Sequence, residues 1–238
     1  HAVVICGYDP ESDRVLVADR DDKLHPVPMS DLAKARGSTF KPFPPKHGWY
    51  TFDFGQKRQP EASEVREAIL EMTTMMLEPP IRNLGVKGIR KAAKMVPKWP
   101  QKLDAEELRF ALFNAWIFIG PEGGTGGGSF RYMLSRFLKE GAEITGDERL
   151  VTSAWEFQQI GDQWEELGQW FRRLSEMPDP ESDLGESARS LNHLAELEQA
   201  AWLTLREIAA DQGSSAGGAS KQVNAAPQRP MPARSGAA

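Results

Sequence analysis

Five glycines in the six positions Gly123-Gly124-Thr125-Gly126-Gly127-Gly128 forbid a continuous helix or strand there. Glycine loses the most backbone entropy on ordering and has no side chain to pack. Apolar helical patterns stand close on both sides, at residues 108–119 and 130–138. The run therefore reads as a tight joint between core segments. It feeds a helix starting near Ser129, a favourable N-cap residue. Two readings stay open: a sharp helix–helix turn with close packing, or a loop whose free N–H groups meet an anion or a carbonyl oxygen. The second makes Thr125, Gly126, Gly127, Gly128 and Arg131 substrate contacts. Arg131 falls in the first turn of that helix, where a cation opposes the macrodipole, so a ligand or a specific partner is the reason to keep it. No Gly-x-Gly-x-x-Gly occurs and no lysine follows, so the run does not read as a nucleotide cradle.

The chain of 238 residues is long enough for one large domain or two small ones, and 40% hydrophobic content with seven Trp supplies real cores. A net charge of −5 argues against a general nucleic-acid binder. One cysteine excludes an internal disulfide framework and a cysteine-based zinc site, and fits a reducing, cytoplasmic compartment. No apolar run approaches the roughly 20 residues of a membrane span. The sequence opens on His1 inside strand-like residues, which reads as a fragment that has lost its N-terminal part.

Residues 2–8 are apolar and β-branched on both faces, as in a central strand. Turn residues follow at 9–13, and residues 14–18 form a second strand, giving a hairpin. With Tyr8 opposite Arg14, His1, Val3, Asp19 and Asp21 share one face at the open end. That is either a His–carboxylate pair of the kind that orients a general base or an ordinary polar strand end. Cys6, an odd number of residues from His1, points to the other face and reads as a buried packing cysteine. Residues 24–29 form a short extended piece broken by prolines. Ser30 caps a short helix over 31–36, and the aromatic residues 48–54 read as a strand closing the sheet.

From Glu61 onward the pattern is helical. Val65, Ile69, Met72 and Met76 mark a helix ended by Pro79 and Pro80. Val86, Ile89, Ala93 and Val96 mark the next, stopped by Pro97. Its other side carries Lys87, Arg90, Lys91 and Lys94, in a stretch with no acidic residue between Glu78 and Asp104. This is a solvated face, or a docking site for an acidic partner or an anionic ligand. Asp104 caps a helix through Ile119. Leu150, Phe157, Ile160, Trp164, Leu167, Phe171 and Leu174 then hold a seven-residue pattern, continued after residues 177–183 by Leu184, Leu191, Leu194, Ala201, Leu205 and Ile208. Two long antiparallel helices follow from it, as core or as a homodimer interface. His193 beside the stripe reads as structural or exposed, and residues 212–238 as a disordered tail. The fold class is α+β: a small antiparallel sheet followed by a mainly helical domain, with a boundary near residues 58–61.

The stretches His1-Ala-Val-Val-Ile-Cys-Gly-Tyr-Asp9, Val17-Ala-Asp-Arg20, Met29-Ser-Asp-Leu-Ala-Lys-Ala-Arg36 and Phe43-Pro-Pro-Lys46 resemble the second half of the N-terminal domain of the butirosin-biosynthesis protein H-like family. Gly124-Thr-Gly-Gly-Gly-Ser-Phe-Arg131 and AWEFQQIGDQWEEL over 154–167 resemble the domain that follows it there. The resemblance covers about residues 1–176. It implies a papain-like or bacteriocin-peptidase-like cysteine fold, truncated before His1. It further implies a bacterial enzyme of antibiotic and secondary metabolism that moves an aminoacyl group from an acyl carrier protein thioester to an amine acceptor of the aminoglycoside kind. His1 would match the general base and Asp19 its orienting residue, and no cofactor or metal is implied. The nucleophilic cysteine would lie upstream of His1, so the chain as it stands is expected to be inactive. A cysteine peptidase or amidase on the same fold, and a non-catalytic binding or assembly module, are the alternatives.

Overall fold

A computed structural model describes residues 2–19, 23–41, 44–53, 55, 57–120 and 128–211. The fold is α+β, a three-stranded antiparallel sheet followed by a mostly helical region. Strands β1 (Val4–Asp9), β2 (Arg14–Ala18) and β3 (Leu24–Pro28) lie in the order β1-β2-β3. The turn after β1 is organised by Asp9, which accepts from the Glu11 N–H at 3.0 Å and the Ser12 hydroxyl at 2.5 Å. Asp13 takes φ of +50°, a conformation that Asp tolerates, and accepts a 2.9 Å bond from the Tyr8 hydroxyl.

Several expectations for this region need correction. β1 is an edge strand, exposed along most of its length, not a central one; Val4 is 56% and Ile5 50% exposed. Cys6 is exposed. The turn pairs Asp9 with Arg14 and Tyr8 with Val15, one residue off the expected register, and a bulge at Cys6 then restores Ile5↔Val17 and Val4↔Ala18. The third strand is residues 24–28. Pro26 and Pro28 are tolerated there because the strand is at an edge. Residues 48–53, expected as a strand closing the sheet, form no strand and leave Trp49, Tyr50 and Phe52 exposed; β3 is the third strand instead. Helix α1 (Met29–Arg36) begins one residue before Ser30, with Pro28 at the N-cap position and no capping side chain.

The helical region holds α2 (Ala62–Leu77), α3 (Gly85–Met95), α4 (Ala105–Ile119), α5 (Gly128–Thr145), α6 (Arg149–Glu176) and α7 (Leu184–Ala210). Helix α2 starts at a capping box between Glu61 and Glu64. Asp104 accepts from the N–H groups of Glu106 and Glu107 and starts α4 as the sequence indicates. Pro97 turns α3 into a 3-10 segment, Val96–Gln101. Helices α6 and α7 run antiparallel, with Phe157 against Trp202 near one end and Trp170 bonded to Ser187 near the other.

Helix α6 is the axis. Its seven-residue pattern buries Leu150, Phe157, Trp164 and Phe171, while Ala154, Gly161 and Gly168, also seven apart, are buried as a line of small residues. Helices α4 and α5 pack on α6, and α2 and α3 pack on α7. One hydrophobic core runs through all of them, from Val65 and Ile69 to Leu205 and Ile208. The sheet and α1 pack on each other and make little contact with this bundle. No helix among the described residues is long and apolar enough to cross a membrane.

Candidate functional site

The buried interior of the bundle contains one carboxylate, Glu198, with no solvent exposure. It occupies the seven-residue series Leu184, Leu191, Glu198, Leu205 of α7, in a position otherwise filled by leucine. Burying a carboxylate is costly unless it is paired and fully hydrogen-bonded. Both conditions are met. Oε1 accepts from Arg131 Nε at 2.7 Å and from Trp164 Nε1 at 2.7 Å, and Oε2 accepts from Trp202 Nε1 at 3.0 Å. A second Arg131 nitrogen, Nη2, also contacts Oε1. The guanidinium carbon sits 5.2 Å from the Trp164 ring centroid, a cation–π placement. Three helices, α5, α6 and α7, thus meet on one charge.

Arg131 was expected to face a ligand or partner. Its side chain is turned inward, 15% exposed, and its charge is neutralised by Glu198. A cation in the first turn of α5 opposes the macrodipole, and this ion pair accounts for its presence there. The sequence reading passed over Glu198, yet the signal was available. Glu198 sits seven residues after Leu191 and seven before Leu205, where a charged residue is out of pattern.

Of the glycine-rich joint, only Gly128 lies among the described residues. Thr125, Gly126 and Gly127 lie outside the described residues, and so do Gly123 and Gly124. Gly128 is buried in the first turn of α5, where an added Cβ would meet the Gly161 carbonyl oxygen at 2.7 Å. At Gly161 a Cβ would lie 2.5 Å from the Tyr132 ring, and at Gly168 it would lie 3.1 Å from the backbone of Gly120. Glycines on both sides of the joint let the end of α4 and the start of α5 approach the axis of α6. Ser129 is the second residue of α5, not its N-cap.

Tyr132 donates to Asp162 at 2.8 Å, and its hydroxyl is pushed far up, first by burial and then by that bond and the nearby Glu165 charge. Below the bundle, Asp147 accepts from Arg149 at 2.9 and 2.8 Å and from Arg66 at 3.5 Å. Arg149 also reaches Asp211 at 2.9 Å, tying the start of α6 to the end of α7. Among the described residues no group of three or more His, Cys, Asp or Glu could hold a metal ion.

The remaining candidates are dispersed. Asp19 directly follows the last paired residue of β2, at the end of the hairpin where Val4 pairs Ala18. His1 and Asp21 lie outside the described residues. Lys87, Arg90, Lys91 and Lys94 are exposed along α3. His193 is exposed, in a groove between α6 and α7 that Glu166, Trp170 and Ser190 also line. The tail, residues 212–238, lies outside the described residues.

Residues 30–205 match a family described as a domain of unknown function, DUF4872. The chain belongs to the DUF4872 family. The matched stretch runs from α1 into α7, so the DUF4872 region holds the whole Glu198 network and excludes the three strands. No curated protein matches the chain.

Proposed function

We propose that the chain is part of a cysteine-dependent acyltransferase that forms an amide from an aminoacyl thioester carried by an acyl carrier protein and an amine acceptor. The reading begins from the resemblance to the butirosin-biosynthesis protein H-like family. The observation that carries it is the register at the open end of the hairpin. The bulge at Cys6 sets Ile5↔Val17 and Val4↔Ala18, the pairing required for a residue-1 imidazole and a residue-19 carboxylate to share a face. In such a site a thiolate from sequence preceding His1 attacks the thioester carbonyl and expels the carrier thiolate, which takes the proton of the His1 imidazolium and leaves as the thiol. The amine then attacks the acyl-enzyme, His1 takes its proton, and the enzyme thiolate leaves. Asp19 holds the imidazole in the useful tautomer.

The test uses the native full-length protein, labelled with iodoacetamide and mapped by mass spectrometry. A fast-labelling cysteine before His1, slowed in His1→Ala, is expected. If no cysteine in that segment labels faster than a free thiol, the catalytic reading fails and a binding module takes its place. Product masses from an aminoacyl thioester, with and without an amine, separate transfer from hydrolysis.

A further inference from the structure

The geometry points to a second feature that is independent of any catalysis: the outer face of α3 and the 3-10 segment after it is a docking surface for an acidic α-helix of a partner protein. Between Glu78 and Asp104 the sequence carries Arg82, Lys87, Arg90, Lys91, Lys94, Lys98 and Lys102 and no acid, in a chain of net charge −5. Helix α3 buries Val86 and Ala93, packs on α7, and leaves these cations outside. Among the described residues none of the seven makes an ion pair. Lys91 bonds the Asn83 amide oxygen at 2.6 Å and Arg90 bonds that of Gln199 at 2.6 Å, both neutral acceptors. Outside the stretch, Arg58, Arg66, Arg131, Arg149, Arg172, Arg189 and Arg206 each meet a carboxylate, while Arg14, Arg36 and Arg109 bond backbone carbonyls.

This placement weakens the helix that carries it. Lys87–Lys91 and Arg90–Lys94 are like-charged pairs one turn apart, and Lys87 sits at the N-terminal end, where the macrodipole disfavours a cation. The last-turn position of Lys94 suits the macrodipole, but among the described residues no carboxylate pairs with these cations, and an external anion would offset their repulsion. The spacing specifies the anion. Lys87, Lys91 and Lys94 fall at i, i+4 and i+7 of α3, a stripe about 10 Å long, and Lys98 extends the basic surface into the tighter 3-10 segment. Carboxylates at the same intervals on a second helix lie opposite it. A nucleic acid fits less well, because acids bound the stretch in sequence at Glu78 and at Asp104, Glu106 and Glu107. Those groups repel a polyanion that continues past the stripe.

The test is fluorescence anisotropy on the full chain with a fluorescein-labelled, lactam-stapled helical peptide bearing glutamates at i, i+4 and i+7. Comparison probes are an isomer with the same glutamates scattered around the helix and a 12-base-pair DNA duplex. The expected result is binding of the striped peptide, at least tenfold tighter than the isomer, and reduced at least tenfold in Lys87→Glu/Lys91→Glu/Lys94→Glu. The matching triple glutamine variant should show an intermediate loss, which guards against a folding defect confined to charge reversal. Equal affinity for the two peptides, affinity unchanged by the triple reversal, or tighter binding of the duplex would each overturn the inference.

Discussion

Replacing Glu198 by alanine removes the buried carboxylate to which the Arg131 guanidinium and two indole N–H groups all donate. Breaking one side of a buried ion pair costs about 3–5 kcal/mol. Glu198→Ala should therefore lower the unfolding midpoint more than any single leucine-to-alanine change at the surface end of α7, as read by urea denaturation. Substituting Arg131 by methionine together with Glu198 by leucine should recover much of that loss, because the double change removes both charges. A double variant no better than the single would show that the indoles, not the charge, set the cost. Asp147 gives a pH dependence. Hydrogen bonds from Arg149 hold its carboxyl below the usual carboxylate range, assisted by the charges of Arg149 and Arg66. The folded state thus holds that proton less tightly than the unfolded chain. The resulting stability is present above the unfolded value, near pH 4, and is lost as pH falls through the folded one. Asp147→Asn should lower the melting temperature at pH 7, and the difference from wild type should shrink on acidification toward pH 3. A constant difference across that range would contradict the assignment.

At the level of elements, the small-residue line on α6 decides how near its neighbours come. An alanine normally gains about 1 kcal/mol over glycine inside a helix. At Gly128 that gain is overridden, because the new Cβ would lie 2.7 Å from the backbone oxygen of Gly161. At Gly161 the clash is with the Tyr132 ring, a side chain that can shift if it gives up Asp162. Both substitutions should destabilise, by about 1–3 kcal/mol as overpacking does, with Gly128→Ala the worse of the two by thermal unfolding. Helix α4 presents a different case. Its Phe110 and Phe118 are 66% and 62% exposed, while Leu108 and Leu112 hold the core. Phe110→Ser with Phe118→Ser should leave the melting temperature within about 2 °C by thermal unfolding. What the sequence made legible follows from the same contrast. Periodicity found α2 to α7 because each element packs against others and shows a buried stripe. It misread β1, whose residues alternate nothing and look buried on both faces, because Val4 and Ile5 are apolar but uncovered in this fold. It misread residues 48–53 for the same reason: Trp49, Tyr50 and Phe52 have strand-forming side chains but stay exposed and add no strand to the sheet. Glu198 escapes a search for apolar periodicity because it is charged, although its spacing from Leu191 and Leu205 makes it part of the stripe.

Taken whole, the molecule is a helical bundle with a small sheet unit that packs mainly on itself. The core runs from α2 to α7, and Arg66 to the Ile208 carbonyl and Arg149 to Asp211 tie α2 and α6 to the end of α7. A chain beginning at residue 57 should therefore keep a single cooperative unfolding transition, with a midpoint within a few degrees of that of the full chain, by circular dichroism at 222 nm. A broad or two-step transition would mean that the sheet unit supports the bundle. The Glu198 network adds a constraint on the order of assembly. Helices α6 and α7 are neighbours in sequence and can pair early, but their pairing alone gives Glu198 only two indoles and no positive charge. Until α5 docks and delivers Arg131, water must reach that carboxylate in place of the missing positive charge. Completion of the native state is thus tied to arrival of the helix that follows the glycine joint, and early compact forms are kept wet at their centre.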